Sequence, residues 1–100
     1  MSSQVITTVS AARASANDWL ISNLPDRFAA GIPEYDQVAQ GWRISVWLFY
    51  PQLEPLGPVG ELLVDEATGE VRDHTAINVM KERAVSLYEQ HRDEIEATLI

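Results

Sequence analysis

The run Trp42–Tyr50 constrains the fold more than any other part of the chain. In an extended strand, successive side chains point to opposite faces. Trp42, Ile44, Val46, Leu48 and Tyr50 therefore share one face, while Arg43, Ser45, Trp47 and Phe49 share the other. The first set is wholly apolar and the second carries two large aromatics. Such a strand needs neighbours in a sheet and a layer packed over it.

The flanking segments supply both. Pro51–Pro58 holds three prolines and a glycine and reads as a loop. Val59–Asp65 is the next strand and Glu70–Thr75 the one after. Between them Glu66-Ala67-Thr68-Gly69 has the chemistry of a hairpin turn. Gly69 can take the positive φ of a tight loop, and Asp65 can accept hydrogen bonds from turn amides. Upstream, Glu34–Val38 is a weak edge strand that Ala39-Gln40-Gly41 turns into Trp42–Tyr50.

Helices bracket these strands. Val9, Ala12, Ala16, Trp19, Leu20 and Asn23 recur at helical spacing, which predicts a helix over Thr8–Leu24 ended by Pro25. Asp26–Ala30 reads as one more helical turn, and Gly31-Ile32-Pro33 as a break. Ile77, Met80, Ala84, Leu87, Tyr88, His91, Ile95 and Leu99 form the stripe of a long helix over Ile77–Leu99, capped by Thr75 or Asn78. The order predicts a two-layer α+β domain: an N-terminal helix, a three- to four-stranded antiparallel meander and a long C-terminal helix. Residues 1–100 make one domain, with 1–7 expected to be flexible.

Composition narrows the partners. Seven Lys+Arg stand against 15 Asp+Glu, a formal net charge of -8. Duplex nucleic acid and anionic membranes repel such a surface, whereas a basic protein is attracted to it. Solubility alone also accounts for the charge. The chain has no cysteine, which removes disulfides, thiolate catalysis and Cys-based zinc sites. Met1–Ala12 lacks the layout of a signal peptide and no segment is long and apolar enough to span a membrane, so a cytoplasmic protein is expected.

The segment Leu63-Val64-Asp65-Glu66-Ala67-Thr68-Gly69-Glu70-Val71 resembles the closing hairpin of PepSY and PepSY-like domains. The strand that opens on Trp42 sits where that family has its own tryptophan-led strand, and the first helix also fits. The resemblance covers about residues 8–75. It implies a small non-catalytic module that restrains a peptidase or binds a peptide. The absence of an export signal and the long C-terminal helix depart from that family. The matching motif is structural, so it carries no functional residue over.

Few residues offer chemistry. His74 follows Asp73, and a histidine near a carboxylate can act as a general base, but no nucleophile pattern accompanies the pair. Adjacent strand residues also point apart. His91 lies inside an apolar stripe, where a partly buried, hydrogen-bonded histidine explains it. Asp65, Glu66, Glu70 and Asp73 lack the spacing of a calcium loop and read as solvated acids around a turn. No catalytic residue, metal ligand or cofactor motif is assigned.

The apolar second face of the central strand is the more informative feature. If the two helices cover one face each, Trp47, Phe49 and Leu63 are buried in the monomer, which is the expected arrangement. If both helices share one face, these residues form a patch for a protein partner or for self-association. Leu53 and Leu56 are exposed in the proline-rich loop, an extended segment that can dock into a partner. The leading expectation is a non-catalytic protein-binding module, an inhibitor or accessory subunit. The alternative is an acidic immunity or antitoxin-type protein that neutralises a basic toxin. A small enzyme using His74 and Asp73 comes third.

Overall fold

Thr8 starts the first helix. Its hydroxyl accepts the Ala11 amide at 3.1 Å, and α1 (Val9–Asn23) follows. The computed structural model describes residues 7–98. Before Pro25 the chain leaves the helix at Leu24, which is extended. Of the expected stripe, Ala12, Ala16 and Leu20 are buried, Trp19 is half-buried, and Val9 and Asn23 are exposed.

Five strands follow: β1 (Phe28–Ala30), β2 (Glu34–Asp36), β3 (Gly41–Leu48), β4 (Gly57–Asp65) and β5 (Val71–His74). All pairings are antiparallel, in the order β1-β3-β4-β5, and β2 shares the β1 side of β3. With the helices before and after, this is the α+β layout expected. The segment Asp26–Ala30 is a correction: it holds β1, not a helical turn. Arg27 takes a left-handed φ of 90°, which reverses the chain. Phe28 and Ala30 then fall opposite Leu48 and Val46, and the Phe49 amide donates to the Arg27 carbonyl at 2.9 Å. Tertiary pairing overrides the local helical tendency. Gly31-Ile32-Pro33 separates β1 from β2, as expected.

The β4–β5 turn follows its sequence chemistry. Gly69 has φ 75°, and the Asp65 carboxylate accepts the Ala67 and Thr68 amides at 2.7 and 3.2 Å. Arg72 also pairs with Asp65 at 2.8 Å. The turn amides, and then Arg72, hold the Asp65 carboxyl below the usual carboxylate range.

Thr75 is not a helix cap. Its amide donates to the Glu61 carbonyl and its hydroxyl accepts the Glu61 amide, both at 3.0 Å, so it closes the sheet. Helix α2 (Ile77–Gln90) begins after Ala76 without a side-chain cap, so Asn78 does not cap it either. The long C-terminal helix breaks at His91, and α3 (Arg92–Thr98) continues beyond. Leu99 lies outside the described residues. His91 departs from helical geometry at φ -115° and ψ 18°, and its amide is shared between the Leu87 and Tyr88 carbonyls. The apolar stripe runs through the break, so the break leaves no mark in the pattern.

Helices α1 and α2 lie on one face of the sheet. Gly60 and Gly57 stand opposite Val46 and Leu48, and Met80 and Leu87 of α2 pack over those two glycines. A Cβ at Gly60 would come within 2.7 Å of the Met80 side chain, so the close approach of α2 needs glycine there. Ala12, Ala16 and Leu20 of α1 join the same cluster, with Ile44, Val46, Leu48, Val59, Leu62 and Val64 beneath. The expected cover of one face per helix is therefore overturned. On the covered face Ile44, Val46, Leu48, Val59, Leu62 and Val64 offer continuous apolar surface. The other carries Arg43, Ser45, Glu61 and Asp73, which a packed helix would strip of water.

Residues 1–6, part of the segment expected to be flexible, lie outside the described residues. Thr7 belongs to the fold: it is buried, its amide donates to the Glu66 carbonyl at 3.3 Å, and its carbonyl accepts the Trp42 indole N–H at 3.2 Å.

Candidate functional site

Strand register determines what stands on the uncovered face. Ala29 lies beside Trp47, Glu34 beside Arg43, and Ser45 beside Glu61. Leu63 stands between Arg43 and Asp73. Asp36 and Asp65 flank Gly41. The face is divided by chemistry.

At one end Trp47, Phe49, Ala29, Ile32, Leu53 and Pro55 line an open groove of about 600 Å³. Trp47, Phe49 and Leu53 are half-buried, whereas Ile32 is 75% exposed. Leu53 is positioned by a turn in which Gln52 adopts φ 71° and the Leu53 amide donates to the Tyr50 carbonyl at 3.1 Å. Arg13 reaches the rim from α1, with its Nε donating to the Ala30 carbonyl at 3.2 Å.

The other end is charged. Arg43 donates to Asp36 at 2.5 Å and to Glu61 at 2.8 Å. The Ala39 amide, then Arg43, holds the Asp36 carboxyl below its usual range. Asp36 in turn raises the already high Arg43 value. At the border of this end the Tyr35 hydroxyl donates to the Glu66 carboxylate, which pushes the phenol's pKa up. Among the described residues Glu34 and Asp73 form no salt bridge.

The structure thus brings together three of the five expected partner-binding residues: Trp47, Phe49 and Leu53. Leu63 is on the same face but lies beyond Arg43, in a smaller depression with Glu61 and Asp73. Leu56 is a correction: it turns to the helix side and packs against the core, with its amide donating to the Leu48 carbonyl at 2.8 Å. Ala29, Ile32, Pro55 and Arg13 also line the groove and were missed. They come from a strand, a break, a loop and a helix that carry no shared local pattern. Once β1 is placed opposite β3, the alternation Phe28-Ala29-Ala30 identifies Ala29.

The His74 and Asp73 side chains diverge. Register places His74 beside Leu62 on the helix side and Asp73 beside Leu63 on the open side. The His74 ring rests 4.5 Å from that of Trp19, and its Nδ1 donates to the Thr75 carbonyl at 2.8 Å. The Asp73 carboxylate accepts the backbone amide of His74 at 2.8 Å. His91 pairs with the Glu94 carboxylate at 2.9 Å. Among the described residues no three His, Asp or Glu side chains converge as metal ligands, and no helix is long and apolar enough to cross a membrane. No family model, curated protein or solved structure matches the chain.

Proposed function

We propose that this chain is a non-catalytic protein-binding module that engages its partner through the apolar end of the uncovered sheet face, as an inhibitor or accessory subunit. The observation that carries the reading is the pair Trp47 and Phe49. Two large aromatics lie in an open groove on the side of the sheet that neither helix covers. Aromatic anchors in a depression are what protein interfaces concentrate. The PepSY-like hairpin supports the same class of module, and the reading places it in the cytoplasm.

The test is affinity capture from the native cell with the intact chain, followed by size-exclusion chromatography with light scattering. The expected result is a defined complex that Trp47→Ala disrupts while the variant remains folded. A monomer that retains no partner at any ionic strength would sink the proposal. Cell fractionation checks the location.

A second reading, an acidic immunity-type protein directed at a basic toxin, draws on the net charge of -8. It predicts a complex that forms with or without Trp47 and falls apart steeply as salt rises.

A further inference from the structure

We infer that the occupant of the groove is a cationic polypeptide segment: one large apolar side chain enters between Trp47, Phe49 and Leu53, and flanking Lys or Arg side chains pair with Glu34 and Asp73. This rests on the protein-binding reading above and adds the partner's chemistry to it.

Charge on the face carries the inference. The open side holds the carboxylates Glu34, Asp36, Glu61 and Asp73, with Asp65 at its margin. Arg43 is taken up by Asp36 and Glu61, Arg72 by Asp65, and Arg13 at the groove rim turns its Nε to the Ala30 carbonyl. Glu34 and Asp73 are left without a salt-bridging cation among the described residues. They end one row across the sheet, Glu34–Arg43–Leu63–Asp73, and Glu34 also lines the apolar groove. Three inter-strand steps of about 4.8 Å separate the row's ends by roughly 14 Å. An extended peptide covers that span in about four residues. Cations spaced this way, beside an apolar anchor, complement the face at both of its ends. An arginine or lysine stem can also lie along the Trp47 ring.

Other occupants fit less well. A second copy brings another net charge of -8 against the same face. Strand addition is hindered at both sheet edges. Gly31-Ile32-Pro33 interrupts one edge, and a register shift beside the charged residues Arg72 and Asp73 disturbs the other.

The experiment selects displayed random peptides of about twelve residues, long enough to span the face. They are panned on the intact chain, with Trp47→Ala and the double variant Glu34→Gln/Asp73→Asn in parallel. Glu34 and Asp73 are exposed, so the double variant keeps the fold. If Trp47→Ala fails to fold, Ser45→Lys replaces it, because Ser45 is an exposed residue of the groove wall. The expected clones depend on the groove and combine excess Lys or Arg with a Trp, Phe or Leu. A synthetic peptide of the enriched sequence then binds about three- to tenfold more weakly to the double variant. It loses at least about tenfold in affinity when salt rises from about 0.05 to 0.5 M.

Groove-dependent clones that are neutral or acidic would overturn the charge assignment while leaving the binding face in place. No groove-dependent clone at all would remove both. A dimer in light scattering that Trp47→Ala or Ser45→Lys dissolves would give the face to a second copy and overturn the inference.

Discussion

The two faces of β3 differ in what covers them, although they alternate residue by residue along the same eight-residue strand. Ile44, Val46 and Leu48 point into a core sealed by two helices, while Arg43, Ser45 and Trp47 face a groove and an ion-pair cluster. Hydrophobicity alone does not separate them, since Trp47 is larger and as apolar as most residues in the core. The distinction is made by neighbours. On the covered side Ile44, Val46 and Leu48 are paired with Leu62, Ala30, Gly60, Phe28 and Gly57, none of them charged, so a helix can lie flat there and strip no charge of its water. On the open side Glu34, Arg43, Ser45 and Glu61 line the same groove as the aromatics, and desolvating those groups would offset the gain from burying the rings.

Several substitutions break or sharpen this comparison. The largest effect is expected at Leu62, which is fully buried. Leu62→Ala should cost about 2–5 kcal/mol in denaturant unfolding, through lost burial plus the cavity left behind. Gly60→Ala tests the same face by overfilling it. The added methyl meets Met80, and a loss of about 1–3 kcal/mol is expected, with α2 displaced. Trp47→Ala removes a comparably large side chain from the other face and should cost only about 1–2 kcal/mol, because the ring already contacts water on one side. A cost as high as that of Leu62→Ala would mean that the two faces do not differ as described.

Asp65 gives a pH-dependent contrast. Its folded-state pKa is depressed by the turn amides and Arg72, so its contribution to stability is present above the unfolded value of about 3.9 and lost as pH falls through the lower folded value. Asp65→Asn should be less stable than the parent near neutrality, and the two unfolding curves should converge as the pH drops below about 4. The smallest effect belongs to Glu34→Gln on the open face, expected to change stability by less than about 0.5 kcal/mol. That residue is exposed and forms no salt bridge among the described residues.

What was legible in the sequence was whatever local chemistry decides. Pro25 ends α1, and Asp65 with Gly69 builds the hairpin turn, each acting within a few residues of itself. The apolar alternation of Trp42–Tyr50 likewise placed Trp47 and Phe49 on one face. What was hidden depends on distant parts of the chain. Phe28–Ala30 becomes a strand only because the end of β3 is available to pair with it. Leu53 and Leu56 are chemically equivalent in a loop sequence. The left-handed turn at Gln52 and the Leu56–Leu48 hydrogen bond send one to the groove and the other to the core. Thr75 resembles a cap in sequence but is claimed by Glu61 from the neighbouring strand. The allotment of both helices to one face was likewise beyond periodicity, which shows that an element has an apolar side but not which surface will receive it.

The anchoring of Thr7 has a mechanical consequence. Its amide and carbonyl are held by Glu66 and by the Trp42 indole, at the end of the sheet nearest the hairpin turn. A force applied to the start of the chain is therefore transmitted first to β3 and the hairpin, and reaches α1 only after that clasp gives way. Behind the clasp the helix is held by Ala12, Ala16 and Leu20 in the core and by Arg13 and Asn17 on the Ala30 backbone. The clasp is thus the first contact to bear load from this end, ahead of the helix packing.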